Sequence, residues 1–250
     1  MAVPNIVHYI WFGLSQRFDF YGFLSFISVL RFVKPCIILV HGDNLPRGSY
    51  WKFILYIYPK IIHVKRSVEI DVIFGKKPCH VNHFSDLFRI EALLKYGGIY
   101  FDMDMVLVKE IDFLRKYPCT MSRLRLNTIG SSFIMAEKNS SFLQKWLDGY
   151  KYHYRNSSYM YNAMKYPNLL SNNYSNLIHI EYETLSRPWA LHAEKVYLNI
   201  PYNWSELLGI HFYSRRHTAP VDKNIIKQLN TTFGAIARHI LYGNKELCSD

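Results

Sequence analysis

The stretch HFSDLFRIEALLKYGGIYFDMDMVLVKEID, residues 83–112, decides how the rest of the chain is read. Leu87, Ile90, Leu93 and Leu94 recur at three- and four-residue steps, which predicts an amphipathic helix over residues 85–96. Gly97 and Gly98 end it, because glycine enters the left-handed conformation of a helix C-cap without a Cβ penalty, and Lys95 suits the negative end of the helix dipole. Residues 98–108 are aromatic and β-branched and predict one strand. Residues two apart in a strand share a face, so Asp102 and Asp104 are expected side by side, about 7 Å apart along the backbone.

Two carboxylates this close repel unless a cation lies between them. Oxygen ligands of this kind suit Mg²⁺ and Mn²⁺, which commonly bind one or two carboxylates together with substrate phosphates. Asp86 and Arg89 are three apart on the preceding helix and share a face, so an acceptor for sugar hydroxyls and a fixed cation would approach the same strand end. An isolated Asp-x-Asp is common by chance, and an exposed Asp–Arg pair alone contributes under ~1 kcal/mol. The specificity lies in the ordered whole: Asp86, Arg89, Gly97, Gly98, Tyr100, Asp102, Asp104.

That order resembles the DxD region of glycosyltransferases with a GT-A fold and is most similar to glycosyltransferase family 32 and its relatives. The resemblance implies an α/β, Rossmann-like, mostly parallel sheet with helices on both faces. It implies one domain over residues 1–250, with residues 1–112 as the nucleotide-binding half and 113–250 as the acceptor-side half. The implied activity is a retaining, metal-dependent transfer of a hexose from a nucleoside-diphosphate sugar, a UDP-sugar by default, to a hydroxyl of a glycan, glycolipid or glycoprotein. Mn²⁺ or Mg²⁺ would sit on Asp104 directly and on Asp102 through ribose or water. Asp86 and Arg89 would grip the donor sugar beside Tyr100. Residues 3–13 resemble the opening strand of the family, which makes Trp11, Phe12 and Gly13 candidates for contact with the base; the alternative is that Trp11 is core. Residues 208–214 resemble the late strand that delivers a histidine to the metal or diphosphate, and His211 stands in that place, although Ser214-Arg215-Arg216 replaces the small residue and tryptophan usual there. Asn127, Ser131 and Ser132 fall where the family lines its sugar and acceptor cleft, or are ordinary turn residues.

Composition bounds the rest. Half of the 250 residues are hydrophobic and a fifth charged, which describes a globular chain large enough for one α/β core. The net charge of +11 suits an anionic substrate or an acidic membrane surface, but the basic residues are scattered and no nucleic-acid-binding motif accompanies them, so a nucleic-acid partner is not expected. Four cysteines allow three pairings or none and leave the compartment open. Asn139, Asn156, Asn173, Asn203 and Asn230 each begin an Asn-x-Ser/Thr sequon, which leans toward a Golgi or secretory lumen, with a cytoplasmic site as the alternative. No stretch reads as a signal peptide or as the membrane anchor expected of a Golgi enzyme.

Along the chain, residues 18–33 and 50–58 predict helices and residues 36–41 and 61–65 predict strands, giving the alternation of a doubly wound sheet. Asp43 follows the second strand, where open α/β sheets bind ligands. Residues 131–137 predict a strand and 140–150 a helix. Residues 178–183, 196–200 and 208–214 predict short strands. Residues 223–241 predict a single basic amphipathic helix that packs on the core or faces a membrane. Two rival functions remain at this level: a catalytically inactive relative that binds nucleotide sugar or glycan, and a basic polyanion-binding module with an incidental Asp-x-Asp.

Overall fold

Alternating apolar runs and turn clusters organise the chain into strands β1 (Ile6–Ile10), β2 (Ile37–Gly42), β3 (Ile61–Lys65) and β4 (Gly98–Phe101). After these come β5 (Met105–Leu107), β6 (Cys119–Arg125), β7 (Thr128–Ala136), β8 (His179–Glu181) and β9 (Gly209–His211). The helices are α1 (Phe20–Phe32), α2 (Ser49–Ile57), α3 (Asn82–Tyr96), α4 (Ser141–His153), α5 (Tyr166–Asn173), α6 (Ile225–Gln228) and α7 (Thr232–Tyr242). The structure, a computed structural model, describes residues 2–13, 17–66, 72–125, 127–158 and 160–248.

A seven-stranded sheet runs in the order β3-β2-β1-β4-β7-β6-β8. The first four strands are parallel, β7 is antiparallel to β4, β6 antiparallel to β7, and β8 parallel to β6. Strand alternation divides the apolar residues between two cores. Ile99, Phe101, Phe133 and Met135 point toward α1, α2 and α7, whereas Tyr100, Ile134 and Ala136 point toward α3 and α4. Burial on both faces explains why these strands read as continuous apolar runs. Among the described residues no helix is long and apolar enough to cross a membrane.

The corner between α3 and β4 shows why two glycines are needed. Gly97 has φ +66° and its N–H bonds back to Leu93 O at 2.8 Å, ending the helix. Gly98 has φ +117°, and a Cβ there would lie 2.3 Å from Ile6 O. The same corner is tied to β1 and β2 by a buried histidine pair. His8 Nε2 lies 2.8 Å from Gly97 O and His8 Nδ1 lies 3.0 Å from His41 Nε2. A carbonyl only accepts, so the His8 proton is on Nε2; its Nδ1 then accepts from His41 Nε2–H. His41 Nδ1 is left bare and buried. Burial is the largest cause that lowers both rings; together with the charge of Arg66 it brings His8 to about 4, against the Gly97 hydrogen bond, and together with His8 and Arg66 it brings His41 to about 3. An unfolded histidine charges near pH 6.5, so the stability tied to this neutral pair is fully present above that pH and is lost as the pH falls toward about 4. An NMR titration should find both rings uncharged at pH 5 while exposed histidines titrate near 6.5; either ring charging above pH 5.5 would contradict the arrangement.

Three expectations are corrected and one strand is added. Residues 98–108 do not form one strand: β4 stops at Phe101, Met105 N–H bonds to Asp102 O at 3.1 Å, and the chain turns before β5 leaves for a second, two-stranded sheet with β9. The segment reads as one strand because β4 and β5 are both buried and the Asp-Met-Asp turn between them alternates polar and apolar residues as a strand would. Residues 196–200 are not a strand; Tyr197 N–H closes onto Glu194 O at 2.9 Å in a 3₁₀ turn, and Leu198 and Ile200 are exposed. Residues 223–241 form two helices, because Thr231 caps α7 through Gly234 N–H and Gly234 has no room for a Cβ against Leu229 O. α7 places Phe233, Ile236, Ala237 and Ile240 in the core, so the packing alternative holds for it. Finally, β6 was not expected; its polar residues Thr120 and Ser122 are buried and hide it from a hydropathy pattern.

Candidate active site

The two-stranded sheet sets the site geometry. Met105 pairs with His211, and Phe212 N–H bonds to Asp104 O at 2.9 Å, so residues far apart in sequence meet beside the end of β4. Asp104 Oδ1 lies 3.1 Å from His211 Nε2. Its Oδ2 accepts from Ser214 N–H at 2.8 Å and from Ser214 Oγ at 3.1 Å. Tyr213 adopts φ +51°, which turns the chain back so that Ser214 can reach the carboxylate, and its ring lies 3.9 Å from that of His211. Burial would raise Asp104, but His211 and the Ser214 hydrogen bonds outweigh it and hold its pKa at about 2. His211 moves up despite burial, because Asp104 and then Asp102 favour the imidazolium.

Asp102 belongs to the same cluster. One ligand atom each from Asp102, Asp104 and His211 fall within 4.8 Å of one another. Asp102 N–H bonds to Ser132 O at 2.8 Å, while its Oδ1 accepts from Tyr100 Oη at 2.6 Å and lies 3.4 Å from Arg89 Nη1.

Arg89 is the hub behind this cluster, and it is buried. Its Nη1 donates to Ser131 O at 2.6 Å and Ser131 Oγ at 3.1 Å, its Nε to Ser85 O at 3.2 Å, and its Nη2 to Ser85 Oγ at 3.3 Å. Nη2 also pairs with Asp86 Oδ1 at 3.1 Å, and the guanidinium lies 4.6 Å over the Tyr100 ring. Arg89, which the resemblance implies would grip the donor sugar, gives its donors to protein groups and fixes the positions of Asp86, Asp102 and β7. Tyr100 is likewise buried beneath Arg89, where it orients Asp102. Burial raises Asp86, Arg89 opposes the rise and Asp102 adds to it, and the balance leaves its pKa at about 6.

The candidates for contact with the base lie at the ends of β1 and β2. The Trp11 side chain is in the core, edge-on to Phe18 at 6.2 Å, as the alternative reading has it. Phe12 is half-buried against Phe88 at 5.3 Å. Gly13, at φ +101°, donates its N–H to Asp43 Oδ1 at 3.1 Å, joining the two strand ends. Asn127 is exposed near the β6–β7 turn, whereas Ser131 and Ser132 are buried, Ser131 on Arg89 and Ser132 within 3.2 Å of Ser186 Oγ. Sequence reasoning missed Ser85 and the role of Ser214. Ser85 carried a signal, being one turn from Arg89 on the helix; the left-handed Tyr213 that presents Ser214 carried none.

Residues 51–121 match the family described as "Glycosyltransferase sugar-binding region containing DXD motif". The matched segment contains Asp86, Arg89, Tyr100, Asp102 and Asp104. Residues 51–121 are thus similar to the sugar-binding region of glycosyltransferases. It is 31% identical over 169 residues to Glucan organizing enzyme 1 of Cryptococcus neoformans var. grubii, a match that covers 60% of this chain and 45% of the relative. It is 32% identical over 88 residues to the Arabidopsis thaliana protein At4g19900, covering 35% of this chain and 13% of that one. The chain thus spans less than half the length of the curated relatives it matches. The apo-form glycosyltransferase GlyE of Streptococcus pneumoniae TIGR4 superposes with a TM-score of 0.53 at 12% identity, over 85% of this chain and 55% of that one. The fold is therefore that of GT-A glycosyltransferases.

Proposed function

We propose that this chain is a metal-dependent, retaining glycosyltransferase that moves a hexose from a nucleoside-diphosphate sugar, with UDP-sugars favoured, to a hydroxyl of a glycan, glycolipid or glycoprotein. The observation that carries the reading is the convergence of Asp102, Asp104 and His211 at the strand end behind which Arg89 and Asp86 are fixed. Two carboxylate oxygens and an imidazole nitrogen form a donor set that Mn²⁺ or Mg²⁺ fits. The His211–Asp104 contact needs a proton on one of its two atoms, and if a cation were held through Nε2, loading and deprotonation there would be linked. When bound, the ion supplies Lewis-acid stabilisation of the departing diphosphate.

The protein supplies positioning. Ser214 fixes one oxygen of Asp104. Arg89 and Tyr100 hold Asp102 Oδ1. Asp86, held by Arg89, would accept a sugar hydroxyl, and Phe12 and Gly13 border the neighbouring strand ends, where a base would lie. No side chain is assigned as a nucleophile; the leaving phosphate is the base for the acceptor hydroxyl. The sequon residues Asn139, Asn173, Asn203 and Asn230 are exposed, which supports a secretory lumen as the compartment.

Calorimetric titration with UDP, and separately GDP, tests this. Binding of UDP with Mn²⁺, lost on adding EDTA, is the expected result. A preference for GDP would redirect the donor assignment to mannose, and failure of a folded protein to bind either nucleotide would overturn the reading. Binding without transfer or donor hydrolysis would favour an inactive relative.

A further inference from the structure

α2 is apolar on both sides. Trp51 and Ile54 point into the core, and Tyr50 stacks on Phe23 at 4.8 Å. A helix on the surface ordinarily presents polar residues outward. Here the outward positions are Lys52, Phe53, Tyr56 and Ile57, at the one-turn spacing of a continuous stripe. Tyr56 is 85% exposed, Phe53 49% and Ile57 40%, with Leu55 at the stripe's edge 38% exposed. Single exposed apolar residues are ordinary, but several adjoining ones on one short helix mark a contact surface.

The charge around this stripe narrows the choice of partner. Residues 44–60, which span α2 and its flanks, contain Arg47, Lys52 and Lys60 and not one Asp or Glu, within a chain of net charge +11. Arg47, Lys52 and Lys60 are exposed on or beside α2. Aromatic rings with lysines that can reach outward past them are the composition of a helix lying in a bilayer interface, where rings sit at headgroup depth and ammonium groups meet anionic lipid. A second copy of the chain fits poorly, because a two-fold contact through this face would set Lys52 and Lys60 against their own counterparts.

We propose that the outer face of α2 docks the protein onto an anionic phospholipid surface. Phe53, Tyr56 and Ile57 enter the headgroup boundary, and Arg47, Lys52 and Lys60 provide the electrostatic attraction. The face lies on the α1 side of the sheet, while Asp86 and Arg89 come from α3 on the other side, so docking leaves the candidate site in place. The inference does not depend on which donor, if any, that site binds.

Co-sedimentation with phosphatidylcholine vesicles, with and without about one-third phosphatidylserine, tests it. The protein should bind the anionic vesicles at least about tenfold more tightly than the neutral ones, and binding should weaken as salt rises. Phe53→Ser with Tyr56→Ser should lower binding to the anionic vesicles by about tenfold or more. Lys52→Glu with Lys60→Glu should reduce it to the neutral-vesicle level. All four residues are exposed, so both variants should keep the circular dichroism spectrum and nucleotide affinity of the parent. Absence of binding by the parent, or equal binding by parent and variants, overturns the proposal. So does light scattering that shows a dimer dispersed by the serine variant, since that would make the face a protein interface.

Discussion

Replacing Asp104 by alanine is expected to abolish sugar transfer and Mn²⁺-dependent UDP binding together, while the fold survives. The carboxylate is the best-held acidic group of the cluster: Ser214 and His211 engage both its oxygens and keep it ionised to about pH 2. Its loss removes one of the two negative charges that the ion would neutralise. Lewis-acid stabilisation of a leaving group amounts to several kcal/mol, which corresponds to about three orders of magnitude or more in rate. The structural penalty is smaller. Ser214 N–H and His211 lose an acceptor, a change of about 1–3 kcal/mol. Asp104→Asn separates the two effects, because the amide oxygen can still accept from Ser214 N–H while the charge is gone. It should fold close to the parent and still be inactive, as read by donor hydrolysis and by urea melts. Activity within tenfold of the parent in Asp104→Asn would remove the charge from the mechanism.

Much of this arrangement is written in local sequence. The α3 stripe of Ile90, Leu93 and Leu94, the Gly97–Gly98 stop and strands β1 to β3 are each set by the spacing of apolar residues and by backbone freedom within a few positions. What local pattern does not encode is the choice of partner. Residues 98–108 look the same as one strand or two, because both pieces are buried, and only pairing with Gly209–His211, a hundred residues away, pulls Met105 out of the main sheet. Sequence alone therefore places Asp102 and Asp104 on one face of a strand, where the fold puts them on a turn. The same limit applies to Arg89. Its three-residue spacing from Asp86 is legible, but whether it meets a ligand or the protein depends on Ser131, which arrives on β7. His211 was reached through resemblance rather than spacing, and Ser214, counted as a departure from the family pattern, proves to be what holds Asp104.

Substituting methionine for Arg89 should be the most damaging change to the fold among the site residues. Breaking a buried ion pair from one side leaves the other charge uncompensated and typically destabilises by about 3–5 kcal/mol. Here the orphan is Asp86, which also loses the group that draws its pKa down from the level set by burial. The sign of the pH effect follows. A carboxyl whose folded pKa lies above its unfolded value of 3.8 favours the folded state most when protonated, and that contribution is lost as the pH rises through the folded pKa, about 6 in the parent and higher without Arg89. The stability difference between Arg89→Met and the parent should therefore be largest at pH 7.5 and shrink at pH 5.5, where Asp86 is protonated in the variant. Comparing the two proteins at each pH cancels the opposite trend from His8 and His41, which both retain. Urea melts at the two pH values measure the difference. Adding Asp86→Leu should recover stability at pH 7.5 without recovering transfer, since the apolar pair satisfies the core but no longer orients Asp102. A pH-independent deficit, or no gain from the second substitution, would place the destabilisation in the lost Ser85 and Ser131 hydrogen bonds rather than in the stranded charge.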